Sequence, residues 1–438
     1  MAQQAMVDLP HVVIVGAGFG GLEVARSLRH APVRVTVIDR SNHHLFQPLL
    51  YQVATAGLSP AEISAPIRAV LRHQANTEVF LAEVTGVDVA NQAVQLGNQN
   101  ISYDCLVLAT GARHSYFGHD DWERFAPGLK SIADATAIRR KILLAFEAAE
   151  LTEDPDEQRA LLTFVVVGGG PTGVEMAGAI AELAHIALAH DFRHIDPKAA
   201  HIVLVESLPH LVPAFPQPLA EKTRTHLEKM GVDVRTDHLV EKVDAMGVVI
   251  AGERLAARTV IWAAGVQASP AGKWLGVATD RAGRVIVQPD LTIPEHPEIF
   301  VIGDTASVQQ NGKPLPGVAQ VAIQQGRYVG RSIRQRAADA TPPPPPFAYK
   351  DKGNMATVGR SFAIVDMQRF QFTGFFAWVT WLVVHLYFLI DFRNRLAVIY
   401  QWAWAYFTYQ RGSRLIVGEA EPTVQVHEAS PTLEKRAV

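Results

Sequence analysis

Twice along the chain a short apolar run of strand character breaks at glycines and resumes at helical spacing. Over 12–15 the run is β-branched, and apolar positions return with a helical period from about 21 to 29. Over 165–167 the same kind of run stops at three glycines. Val174, Met176, Ala177, Ile180 and Ala181 then mark one helical face. Each stretch predicts a buried strand, a tight turn and a helix N-terminus. Other apolar runs also end in small or acidic residues: 33–38 at Asp39, 106–108 at Ala109-Thr-Gly111, 201–205 at Glu206, 261–262 at Ala263-Ala-Gly265, and 299–302 at Gly303-Asp304. A long helix with a His-rich end, to about His194, separates the second turn from Glu206. Another helix begins at Ala319.

The turn chemistry narrows the pattern. Glycines 168, 170 and 173 have G-x-G-x-x-G spacing, and 16, 18 and 21 repeat it in register, with Glu23 and Glu175 at matched places. The first glycine allows the turn, the second lets backbone approach a pyrophosphate, and the third packs helix on strand. Two such turns imply two nucleotide sites. Asp39 and Glu206, at the ends of the following strands, are candidates to bind ribose hydroxyls. A solvated strand end and a surface glutamate are the plainer accounts of the two. The agreement of strand, turn and spacing favours the ribose role. A carboxylate at Glu206 accepts from a free 2′-hydroxyl and repels a 2′-phosphate, which predicts NADH over NADPH. The second turn lies between the strand-end turns 109–111 and 263–265. This predicts an α/β chain of two Rossmann-like domains, the second inserted in the first: 1–115 with 264–340, and 116–263.

Composition agrees and excludes. The 438 residues suffice for two or three domains, and 48% hydrophobic with 19% charged residues describes a globular protein. A net charge of −3 gives nucleic acid no footprint. The single cysteine, Cys105, sits in an apolar strand pattern and reads as a buried core residue; a dithiol relay is impossible. Adjacent His43 and His44 are poorly spaced for one metal. His190 and His194 have i,i+4 spacing without further ligands, and read as an exposed helix end. No Ser-His-Asp arrangement is evident, so the chemistry must come from a cofactor. Residues 43–51 form a proline-broken segment that either covers a flat ligand or packs as a loop. Asp304 either caps a helix or bonds a cofactor chain. Gln320 and Gln324 share a helix face that either meets solvent or donates to a carbonyl ligand.

Thr341 and the prolines 342–346 predict a stiff linker. Beyond it, 375–390 is an aromatic run of 16 residues, short of the roughly 20 that a span needs. A second run follows over 396–409, and Arg393, Arg395, Arg411 and Arg414 flank both. Two segments lying in a bilayer surface are expected over 341–417. The rivals are core or dimer packing, and one span lengthened by 372–374. The polar tail, 418–438, is expected to be disordered. The first ten residues have neither a basic start nor a long apolar run. No cleavable signal is therefore expected, and the nucleotide sites are expected on the cytoplasmic face of the inner (plasma) membrane.

These motifs together resemble the flavoproteins with two dinucleotide-binding domains (glutathione-reductase-like), and within them the type II, non-pumping NADH:quinone oxidoreductases. The resemblance rests on both glycine turns, Phe46-Gln-Pro-Leu-Leu-Tyr51, Ala109-Thr-Gly111, Gly303-Asp304, Ala319-Gln-x-Ala-x-Gln324, Asp351-Lys-Gly353 and His385-Leu-Tyr-Phe-Leu-Ile-Asp-Phe-Arg-Asn-Arg395. It implies FAD held by Gly16, Gly18, Phe19, Gly20, Gly21, Asp39, Arg40, Thr110, Gly111, Gly303, Asp304 and Gln320. It implies NADH on Gly168, Gly170, Pro171, Thr172, Gly173, Glu175, Glu206, Ala264 and Gly265. Phe46, Gln47, Gln320, Gln324 and Lys352 would line a membrane quinone's site. Glu175, Gln320, Gln324 and Lys352 would carry the reaction, and the C-terminal region would bind the bilayer surface and support a homodimer. Asp391 departs from the family, where glycine is frequent. Sulfide:quinone chemistry needs redox cysteines that this chain lacks. A ferredoxin-reductase-like enzyme or a flavin-containing signalling factor remain as alternatives.

Overall fold

A computed structural model describes residues 9–339, 342, 344–408 and 410–417. Its larger sheet runs in the order Thr292–Ile293, His296–Val301, Cys105–Leu108, His11–Val15, Arg34–Asp39, Thr77–Leu81. All neighbours are parallel except the first pair. A second parallel sheet runs Val232–Arg235, His201–Val205, Thr163–Val167, Thr259–Trp262. Its strands lie in sequence between the two portions of the first sheet, so the second dinucleotide-type domain is inserted in the first. The central strands His11–Val15 and Thr163–Val167 are buried at every position, as parallel strands covered on both faces must be. This is why their sequences read as unbroken apolar runs.

The two domains repeat one register. Val15 pairs with Ile38 and Val167 with Val205, so Asp39 and Glu206 both fall just past the paired end. Gly16 N–H donates to Ile38 O at 2.8 Å and Gly168 N–H to Val205 O at 2.7 Å. Ala109 N–H bonds Val15 O at 2.8 Å, and Ala263 N–H bonds Val167 O at 2.7 Å. The helices start earlier than the periodicity suggests: the first is Phe19–Ser27, the second Pro171–Glu182. The long helix expected to reach His194 stops at Glu182 and is continued only by a π-helical turn, Leu183–Ala187. His190 and His194 therefore share no helix, and His194 bonds Glu150 at 3.0 Å.

Beyond the prolines the chain is not wholly helical. Asn354–Thr357, Ala363–Asp366 and Gln371–Gly374 form an antiparallel sheet that sequence reading missed. Residues 372–374 are thus strand, which removes the lengthened single span. The helices Phe375–Phe388 and Phe392–Thr408 follow, and no described helix is long and apolar enough to cross a membrane. Trp381, Leu389 and Val398 join the core that includes Val174, Met176 and Ile180, and the helix Phe375–Phe388 packs on the antiparallel sheet. Between them Asp391 adopts φ +77°, a conformation that glycine accepts more readily. Thr341 and Pro343 of the expected linker, the preceding Ala340, Tyr409, and the tail lie outside the described residues.

Candidate active site

Each glycine turn is shaped by what a side chain would strike. Gly16 (φ +97°) and Gly168 (φ +109°) hold backbone angles that favour glycine. A Cβ at Gly21 would lie 1.8 Å from Gly16 O, and one at Gly173 1.8 Å from Gly168 O. At the middle glycines, 18 and 170, a Cβ would meet nothing within 4 Å. These two residues cap their helices without a side-chain hydrogen bond, which leaves N–H groups and open space for an anion. The cradle fits a pyrophosphate in both places.

The carboxylates close the turns. Asp39 accepts from Ala17 N–H at 2.6 Å and from Ser41 N–H at 2.7 Å. Glu206 accepts from Gly169 N–H at 2.5 Å and from Leu208 N–H at 2.8 Å, and is only 8% exposed. The spacing from turn to acid is 22 residues in one case and 37 in the other. The strand register delivers both to the same place, which explains why the longer second spacing does no harm.

A cleft of about 500 Å³ opens over the first turn. Gly16, Gly18, Phe19, Gly20, Asp39, Arg40, Thr110, Gly111, Gly303 and Asp304 all line it. Gly21 instead packs beneath the turn. Thr110 is 2.5 Å from Ser269 and 3.2 Å from Thr305, a hydroxyl cluster that no local motif announced. Gln325, also missed, accepts from Gly303 N–H at 2.6 Å and fixes that turn. Lys130 and Ser131 complete the rim.

A smaller cleft of about 130 Å³ adjoins the larger one: Gln47, Pro48, Lys130 and Thr172 line both. Glu175 and Gly265 line the smaller cleft alone. Burial pushes the Glu175 carboxyl up to about 8, and its nearest described donor is Thr357 N–H at 3.5 Å. Glu23, its counterpart, lies 3.0 Å from Arg327 and 3.9 Å from Arg26. Gly168, Gly170, Pro171, Gly173, Glu206 and Ala264 surround the second turn outside these two clefts.

The other candidates converge less tightly. Phe46 is buried and packs edge-on to Phe19 and His385, at 5.9 and 6.1 Å between ring centroids. Gln47 Nε2 donates to Lys130 O at 3.3 Å. Gln320 has a buried Oε1 without a partner. Gln324 is engaged with backbone: its Nε2 donates to Lys350 O at 2.9 Å and its Oε1 accepts from Lys350 N–H at 3.0 Å. Lys352 Nζ sits 5.8 Å from the Phe388 ring. Neither glutamine lines the two clefts. Cys105 packs against the core, and burial pushes its thiol up to about 12, the state of an unreactive thiol. His44 is buried and bonded to Ala17 O, and no metal-binding cluster occurs among the described residues.

Known proteins share this arrangement. The pyridine nucleotide-disulphide oxidoreductase family matches residues 10–326. The chain is 45% identical to the type II NADH:quinone oxidoreductase Ndh of Mycobacterium tuberculosis, over 93% of this chain and 90% of that protein. It is 44% identical to NdhA of the same organism, over 93% and 89%. The structure of NDH2 from Plasmodium falciparum in complex with NADH superposes with a TM-score of 0.83 at 20% identity, over 93% of this chain and 100% of that one. The sulfide:quinone oxidoreductase of Aquifex aeolicus superposes at 0.70 with 19% identity, over 93% and 96%. At such identities the structural likeness speaks for the fold.

Proposed function

The chain belongs to the type II NADH:quinone oxidoreductases, within the pyridine nucleotide-disulphide oxidoreductase family, and on that premise we propose how its residues divide the work. It is an enzyme that moves electrons from NADH to a quinone. The observation that carries the division is the repeated turn, each copy with open space at its middle glycine and a carboxylate at the N–H after its first glycine. The large cleft over the first turn is assigned to FAD and the second turn to NADH. Glu206 then meets the adenosine ribose and disfavours a 2′-phosphate. Bound in the large cleft, FAD would supply the two-electron chemistry between NADH and the quinone.

The protein's own part is positioning and proton control. Thr172 and Gln47, on the wall common to both clefts, stand where two bound groups would meet. Glu175 is protonated at neutral pH, because its carboxyl ionises only near 8. It can thus donate a hydrogen bond within the smaller cleft, or release the proton that the net reaction, NADH + H⁺ + quinone to NAD⁺ + quinol, requires. Phe46, Gln47, Gln320, Gln324 and Lys352 are assigned to the quinone. Support comes from Phe46 and Lys352, which both pack on the helix Phe375–Phe388, and from Gln320, whose unpartnered carbonyl oxygen frees its amide plane for a ligand.

That helix and its neighbour Phe392–Thr408 expose Phe376, Tyr387, Phe392, Tyr400 and Phe407. So large an apolar exterior supports attachment to a bilayer surface. We assign a peripheral, non-pumping enzyme with its nucleotide sites on the cytoplasmic side. A homodimer through the same region accompanies this assignment. The domain division proposed is 1–115 with 264–340, 116–263, and 341–417. Two measurements test the reading. The purified protein should turn over NADH continuously only when a quinone is supplied; no quinone-stimulated turnover contradicts it. Phe376→Glu with Phe407→Glu should release the protein from anionic vesicles, and unchanged co-sedimentation contradicts the membrane assignment.

A further inference from the structure

The chain crosses between the two domains in a short ribbon, where Ala112–His114 pairs antiparallel with Val266–Ala268. Just beyond it, residues 115–119 fold onto Trp262, which lines the smaller cleft. Trp262 Nε1–H donates to Ser115 O at 2.9 Å, and Tyr116 stacks on the Trp262 ring at 5.1 Å between centroids. Tyr116 and Trp262 are both buried. His119 N–H then bonds Tyr116 O at 3.0 Å and closes a turn. Its two central residues are Phe117 and Gly118, at φ +54° and +98°.

Phe117 fits that place poorly on two counts. A turn with both central residues at positive φ takes Asn, Asp or Gly at the first of them, and an aromatic residue there is strained. Val212 and Leu291 also hold positive φ, but both are fully buried, and packing accounts for them. Phe117 is 68% exposed, so neither packing nor backbone preference accounts for it. Its ring is nonetheless seated. A Cβ at Gly265 would fall 2.5 Å from Phe117 Cζ, so the ring tip stands against bare backbone, with the Trp262 ring 6.3 Å away between centroids.

The seat lies on the path from the second turn to the smaller cleft. Gly168 lies against Ala263 and Ala264, since a Cβ on it would meet the backbone of each at 2.7 Å. Gly265 follows, and it lines the smaller cleft with Thr172 and Glu175. A dinucleotide that rests its pyrophosphate on the second turn and reaches into the smaller cleft therefore passes over 263–265, beside the exposed ring. We propose that Phe117 is an apolar clamp for NADH, its ring packing on the nicotinamide half of the bound nucleotide. The ligand then buries a ring that the protein alone leaves in water, and this offsets the strain of the turn. The proposal rests on the assignment of NADH to the second turn. It places Phe117 away from the 2′ position of the adenosine ribose, which is assigned to Glu206.

The test is bleaching of the flavin by NADH in rapid mixing of the full-length protein carrying FAD, with the melting temperature measured alongside. Phe117→Gly accepts the backbone angle and removes the ring. It should raise the NADH concentration for half-maximal bleaching rate about tenfold and change the limiting rate by less. Its melting temperature should be unchanged or higher. NADPH should weaken by the same factor, so that the ratio between the two nucleotides stays constant. Phe117→Tyr keeps the ring and should stay within about twofold of the parent. An unchanged NADH dependence in Phe117→Gly overturns the proposal, as does a shift in the NADH-to-NADPH ratio. A melting temperature that falls together with affinity also overturns it, because it marks a structural residue, and so does equal weakening in Phe117→Tyr. Failure of the parent flavin to bleach is a distinguishable result: it overturns the NADH assignment itself, and the clamp with it.

Discussion

The two glycine turns share a backbone and differ in everything around it. Both pack the third glycine onto the first glycine's carbonyl, and both bond a carboxylate to the next N–H. Yet Asp39 opens onto a large cleft beside Arg40 and Ser41, whereas Glu206 is almost wholly buried. Position 17 is alanine. Position 169 must be glycine, since a Cβ there would come within 2.6 Å of Leu211 and 2.9 Å of Glu206. The matched glutamates diverge further: among the described residues Glu23 meets arginines and Glu175 meets none. The shared half is what any pyrophosphate needs. The surroundings decide which nucleotide is held and whether the site does chemistry.

The comparison is most easily broken at the third glycines. Gly173→Ala should weaken NADH binding by about 100-fold, roughly 2.7 kcal/mol, with flavin absorbance retained. Gly21→Ala should instead cost the flavin, checked by the absorption spectrum of the purified variant. If either substitution removes both nucleotides, the turns are not independent sites.

The carboxylates come next. Glu206→Gln should shift the NADH-to-NADPH preference by about tenfold toward NADPH, measured as the ratio of kcat/KM. The same change at Asp39 should leave that ratio alone. Glu175→Gln should slow reduction by NADH by about tenfold and remove the pH dependence that the parent shows near 8. Its stability should respond too. A carboxyl raised from 4.5 to about 8 stabilises fully below 4.5, and the parent loses that contribution as pH rises toward 8. The Gln variant should show a flatter melting profile over that window. Glu23→Gln removes a partly exposed ion pair and should change neither profile.

The smallest effect lies outside both turns. Asp391→Gly should stabilise by about 0.5–1 kcal/mol, because φ +77° strains any residue with a Cβ. An unchanged or lower melting temperature would show that the Asp391 carboxylate, which accepts from Arg393 N–H at 3.2 Å, offsets the strain.

What could be read from sequence was what short segments determine. The strands, the turns and Asp39 and Glu206 follow from local pattern, because parallel strands buried on both faces leave uninterrupted β-branched runs. The helix starts shifted because glycines 20 and 21 look non-helical. They are tolerated there because close packing requires them: a Cβ at Gly20 would come within 3.0 Å of Ile302. Long-range pairings were invisible. Thr110 meets Thr305 across 195 residues, and Arg411 meets Glu182 across 229. The sheet 354–374 escaped because its strands are four residues each, too short for a period to show. Gln324 shows what helical spacing alone leaves out. Helical spacing correctly set it on Gln320's face, but only the fold shows its amide spent on Lys350.

Rapid mixing of the purified protein with NADH, then with a soluble quinone, tests the two-nucleotide account most directly. The flavin absorbance should bleach on the first mixing and return on the second, and in Gly173→Ala the bleaching should need far more NADH. A protein that carries flavin but does not bleach with NADH, or bleaches equally well without the second turn, would contradict it.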